Sequence, residues 1–222
     1  MDGEHRSQTQ NRIHWHDAFY EALQYELHNY KDFLRFENER LLSKEALKMD
    51  VLIVKKDKDI SIDKNIGRIF KAHNIFEYKS ETDYLSIYDY YKVLGYALLY
   101  ASFEKINKNE ITVSFVISRH PRDLLKYLEE ELKLKIDIVE DGIYYVMGDI
   151  VSIQILEQRK LSSEDNLFLK NLNSNVDPDI IATILNTLES QGDLNSKSKF
   201  ISTMALANRD AFRPTIKCQP LK

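Results

Sequence analysis

An α/β fold, with helices flanking a central sheet, is what this sequence predicts, and three observations predict it. Leu47–Val54 is almost wholly apolar, the mark of a strand covered on both faces, and Ile111–Ile117 is a second such run. Trp15, Phe19, Ala22, Leu23, Glu26, Leu27 and Tyr30 fall within one arc at about 100° per residue, the signature of an amphipathic helix. Glycine (6) and proline (4) are scarce among 222 residues, so regular elements dominate and long loops are few.

The composition sets the class. A hydrophobic content of 43% and a charged content of 30% are those of a globular protein with a proper core. No apolar run approaches the ~18 residues that span a bilayer, and the polar start Met1–Asn11 has no signal-peptide core, so neither membrane nor export is expected. The lone cysteine, Cys218, allows no disulfide framework and makes a cytoplasmic setting the expectation. A net charge of −4 provides no global basic field, so any nucleic-acid contact must come from a local patch.

In chain order, residues 1–12 are polar and expected to be disordered. The helix His14–Tyr30 follows, with Glu26 inside its apolar arc and Glu21 on the opposite face. Two strands come next, Phe33–Glu39 and Leu47–Val54, the second carrying Asp50. Beyond a charged connection and a short helical turn at Ile66–Lys71 lies the strand Asn74–Lys79. The long helix Tyr84–Phe103 has Asp83 as its expected N-cap. It is apolar nearly all round, which predicts packing on two sides, except that Asp89, Lys92 and Tyr96 share one stripe. After Ile111–Ile117 come a helix Pro121–Leu132, a hairpin around Asp141-Gly142 and a strand Val151–Leu156. Beyond Leu161 two short helices, Ser163–Asn171 and Pro178–Glu189, are expected, and from Gly192 the tail reads as weakly ordered.

The chemistry concentrates in Asn74–Lys79. Strand alternation sends Glu77 and Lys79 to one side and Phe76 and Tyr78 to the other. If this strand pairs with Leu47–Val54, Asp50 and Glu77 converge on one cation with Lys79 beside it. An unpaired acid in so apolar a strand costs several kcal/mol, so Asp50 needs a partner. The structural alternative is an ion-pair network on a solvated sheet face. The isolated His14 and His16 lack companions at zinc-ligand spacing, and neither a phosphate-binding glycine loop nor a nucleophile-elbow serine is present. The many tyrosines read most simply as core packing.

The order helix, three strands, helix, strand, with Asp50 on the second strand and Glu77-x-Lys79 on the third, 27 positions on, resembles the PD-(D/E)XK nuclease superfamily over residues 14–120. Within it the chain looks most like the recombination-promoting nuclease and transposase-like branch. The resemblance implies a restriction-endonuclease-like core, a mixed sheet flanked by helices, taken as 13–160; the change of character beyond Leu161 sets off a helical extension at 161–191 and a tail at 192–222. It implies a magnesium-dependent endonuclease acting on DNA, with manganese as a substitute; dimerisation stays open.

The same resemblance implies site roles. Asp50, Glu77 and the backbone carbonyl of Tyr78 would hold the metal, Lys79 the attacking water or the phosphate, and Glu26, or else Glu21, would add a carboxylate from the first helix. Lys92 and Tyr96 match a Gln-and-Tyr pair carried by this helix in related nucleases, with lysine in place of glutamine, and would touch the phosphate backbone or orient Lys79. Met49 stands where the family name has proline. The alternative function is a catalytically silent member of the fold that binds nucleic acid or protein.

Overall fold

The computed structural model of the chain describes residues 15–41, 48–195 and 198–216; the expected disordered start and the last six residues, with Cys218, lie outside them. Seven strands form one mixed sheet in the order β1-β2-β3-β4-β7-β6-β5. These are β1 (Leu34–Leu41), β2 (Lys48–Lys55), β3 (His73–Lys79), β4 (Ile111–Ile117), β5 (Lys135–Glu140), β6 (Ile143–Met147) and β7 (Ser152–Glu157). The central strands β3, β4 and β7 run parallel, and antiparallel pairs complete each flank. The strands read as continuous apolar runs, β2 and β4, sit inside the sheet and are covered on both faces, as parallel or central strands must be. The expected α/β architecture with a mixed sheet is therefore present.

Two apolar layers cover the sheet. On one face α1 (Trp15–Glu26) packs with Val51, Ile53, Phe76 and Tyr78. The same cluster takes in α4 (Leu167–Lys170), α5 (Pro178–Gln191), α6 (Lys199–Ala207) and α7 (Arg209–Ile216). On the other face α2 (Ile87–Glu104) and α3 (Arg122–Glu130) cover Leu52, Ile75, Val113 and Ile155.

Several boundaries differ from expectation for local reasons. The N-cap of α2 is Ser86, not Asp83, because Ser86 and Asp89 form a reciprocal capping box, while Asp83 accepts the Ser80 hydroxyl instead. A single 3₁₀ turn, Asn65–Gly67, stands in for the helix at Ile66–Lys71. The helix sketched at Ser163–Asn171 shrinks to the four residues of α4. The weak order expected after Gly192 gives way to α6 and α7: Ser198 caps α6, Phe200 and Met204 bury one face, and Asn208 bonds Val176 N and Asn173 O, both at 2.9 Å. At the hairpin, Gly142 takes φ 78°, and a Cβ there would stand 2.9 Å from the Glu157 carbonyl, so the turn demands glycine. Finally, α2 packs on the sheet and, at Tyr91, on α3, and leaves its far side open among the described residues. Tyr90, Val93, Ala97 and Tyr100 bury against the sheet, while Tyr88 and Phe103 face outward.

Candidate active site

The last paired residues of β2 and β3 are Val51 and Phe76, so the next position on each strand holds Asp50 and Glu77. Past that pair the ladder gives way to a side chain: the Tyr78 N–H donates to Asp50 Oδ2 at 2.8 Å. Asp50 thus satisfies a main-chain donor of the neighbouring strand, which fixes its carboxylate beside Glu77. Burial and the adjacent Glu77 charge raise Asp50 to about 6, against the pull of the Tyr78 N–H, His16 and Lys79.

Glu77 is 4% exposed and needs counter-charge. Its Oε1 accepts from Lys79 Nζ at 3.1 Å and from Lys92 Nζ at 2.8 Å. Lys79 is held from its other side by Asp89 Oδ1 at 2.8 Å. Burial works to discharge Lys79, but the bonds to Asp89 and Glu77 outweigh it and keep the ammonium above its usual value. Burial likewise works to raise Asp89, yet Lys79 and the Ser86 cap bring it down to about 2. Asp89 therefore couples the start of α2 to the end of β3, because one carboxylate serves both the helix cap and the lysine.

The structure brings together Asp50, Glu77, Lys79 and Lys92 from the sequence-derived set. Tyr96, one turn beyond Lys92, is half-buried against the α2 side of the core. Glu26 does not join them. Its Oε1 accepts the Phe168 and Leu169 N–H groups at 2.6 and 2.9 Å, and its Oε2 pairs with Lys64 at 2.9 Å. The apolar arc had placed Glu26 on the inward face, and it is inward; what it meets there is the start of α4, whose first N–H groups have no partner of their own. Glu21, the alternative, does the same for α6, accepting from Lys199 N at 2.9 Å, Phe200 N at 2.8 Å and the Ser198 hydroxyl.

The residue that α1 does contribute is His16, which the sequence reading set aside. Its Nε2 lies 3.7 Å from Asp50 Oδ2, and its ring packs edge-on to Tyr78 at 6.0 Å. No spacing in the sequence ties position 16 to position 50; the only signal is a polar ring in the first turn of the helix that precedes the strand pair.

The donor set suits a hard divalent cation, since both carboxylates supply oxygen. Among the described residues, no three His, Cys, Asp or Glu side chains gather closely enough to hold a metal by themselves. Any cation would rest on two carboxylates, main-chain oxygen and water, a pattern that suits magnesium. Also among the described residues, no helix is long and apolar enough to cross a membrane. No family model, curated protein or solved structure matches this chain.

Proposed function

We propose that this chain is a PD-(D/E)XK-type nuclease that hydrolyses DNA phosphodiester bonds with magnesium, or manganese in its place, and that it works in the cytoplasm. The observation that carries the reading is the meeting of Asp50 and Glu77 at the splayed ends of β2 and β3, with Lys79 fixed beside them. Asp50, Glu77 and the Tyr78 carbonyl would hold the cation. Once bound, it would acidify a water and neutralise charge on the phosphoryl group. Lys79 is positioned to hold the attacking water or a phosphate oxygen, and Asp89 keeps its ammonium in place before substrate arrives. His16 stands at the mouth of the same site, half-exposed, where it can orient Asp50 or meet a phosphate.

Purified protein incubated with supercoiled plasmid and magnesium is expected to nick it, and Lys79→Ala is expected to remove that nicking. Equal nicking by both proteins ends the proposal.

One observation favours a second reading, a silent nuclease-fold protein that binds nucleic acid or a protein partner. Lys92 places its own ammonium 2.8 Å from Glu77 Oε1, the position a metal would have to share. Resident positive charge of this kind weakens a cation site. Lys92→Gln, which restores the residue type seen in related nucleases, is expected to tighten manganese binding in calorimetry by ~10-fold, about the effect of 1.4 kcal/mol of relieved repulsion. Heat that is absent from both proteins, or that Glu77→Gln leaves unchanged, selects the silent reading.

A further inference from the structure

Apart from Tyr91, which meets Tyr127 of α3, the outward face of α2 is open among the described residues. Tyr88 is 80% exposed, Phe103 58% and Tyr91 46%, and Leu98 and Leu99 are also exposed. From Val93 to Phe103 the helix carries no charged residue at all. Exposed apolar surface on this scale is uncommon on a monomer and marks an interaction face. Positions 88, 91, 95, 98 and 102 recur at intervals of three and four, the spacing of a helix–helix seam, and Leu99 and Phe103 widen it.

The midpoint of that seam is Gly95. A glycine inside a helix is less favourable than alanine, and nothing in the chain requires it, since a Cβ at this position would meet no atom within 4 Å. A glycine that the fold has room to replace makes sense where a second backbone approaches from outside. The aromatic end of the seam is already held in shape: Tyr88 packs on Tyr91 at 6.5 Å, and Tyr91 packs on Tyr127 at 5.9 Å, with their hydroxyls bonded. Rigid aromatic anchors of this type dominate binding energy at interfaces.

We propose that this face is the interface of a twofold homodimer in which the α2 helices of two copies cross antiparallel at Gly95. The seam is self-complementary in that sense. A twofold axis at Gly95 sets Tyr88 and Tyr91 of one copy against the partner's Phe103 and the partner's Leu99, and repeats the contact on the other side. The exposed parts of these side chains amount to on the order of 500 Å² per copy, counting ~200 Å² for a fully exposed aromatic. With the polar rim this approaches the ~800 Å² per partner of a stable interface. The inference does not depend on the nuclease reading.

Sedimentation velocity of the full chain over a dilution series tests it. Wild type is expected to sediment at twice the 26.1 kDa chain mass at micromolar concentration. Gly95→Arg and Phe103→Lys, each placed on open surface, are expected to weaken the dimer by at least ~100-fold with an unchanged circular-dichroism spectrum. Gly95→Ala, which fits the isolated fold without a clash, is expected to weaken the dimer without lowering the melting temperature of the dissociated chain. Lys79→Ala is expected to leave the dimer intact. A wild type that is monomeric at about 100 µM overturns the proposal, whatever else later binds the face. So does a dimer that both Gly95→Arg and Phe103→Lys leave untouched.

Discussion

Replacing Glu26 by alanine is expected to destabilise the fold by ~3–5 kcal/mol, the usual cost of removing one member of a buried charge pair. Three groups lose a partner together. Lys64, whose side chain is 21% exposed, loses its counter-charge and keeps only the Asp165 carbonyl, and the Phe168 and Leu169 N–H groups at the start of α4 are left in the core without an acceptor. Glu26 is 7% exposed, and burial holds its carboxyl above the ordinary range despite Lys64, so solvent replaces the missing oxygens poorly. Glu26→Gln is expected to lose less, because its amide oxygen still accepts from the two N–H groups while only the attraction to Lys64 goes. Urea titration of the three proteins measures the effect. A Glu26→Ala protein as stable as wild type but deficient in manganese binding would return Glu26 to the metal site and overturn the capping role.

Asp50, Glu77 and Lys79 were legible because what brings them together is local. Alternation along β3 puts Glu77 and Lys79 on one side, and antiparallel pairing of consecutive strands sets β2, with Asp50, beside β3. Glu26 shows where that kind of reading stops. Helical periodicity reports which side chains turn inward, and it did so correctly; it carries nothing about what they meet, and the partner here lies 142 residues away in a four-residue helix with almost no pattern of its own. The same long reach, 178 residues from Glu21 to Lys199, is why the C-terminal segment read as a weak tail, although it completes the α1 layer. Two acids on α1 that looked like rival ligands are instead the clamps that hold α4 and α6. Lys92 was placed on the correct stripe, but only the packing angle of α2 over β3 decides that its ammonium reaches Glu77. The outward face of α2 misled in an instructive way: an apolar helix predicts two covered sides, and the second cover is not supplied by the described residues.

Asp50→Asn is expected to stabilise the protein by up to about 3 kcal/mol at neutral pH and by nothing near pH 3.5. The sign follows from proton binding. The folded protein holds the Asp50 proton to about pH 6, whereas an unfolded chain releases it near the ordinary value of 3.8. Between those two values the native state binds the extra proton, so wild-type stability falls as pH rises through the window and then levels off above it. Asparagine does not titrate, its side-chain oxygen still accepts the Tyr78 N–H, and the penalty of a buried charge beside Glu77 disappears. Asp89, held down to about 2, titrates below the window and leaves the comparison undisturbed. Groups that do not face Asp50 are common to both proteins and cancel in the difference. Denaturant unfolding of the pair at several pH values from about 3.5 to 7.5 gives the curve. A difference that is flat with pH, or that shrinks as pH rises, would mean that Asp50 is comfortably ionised where it stands. The charge repulsion that the proposed cation would relieve would then be absent.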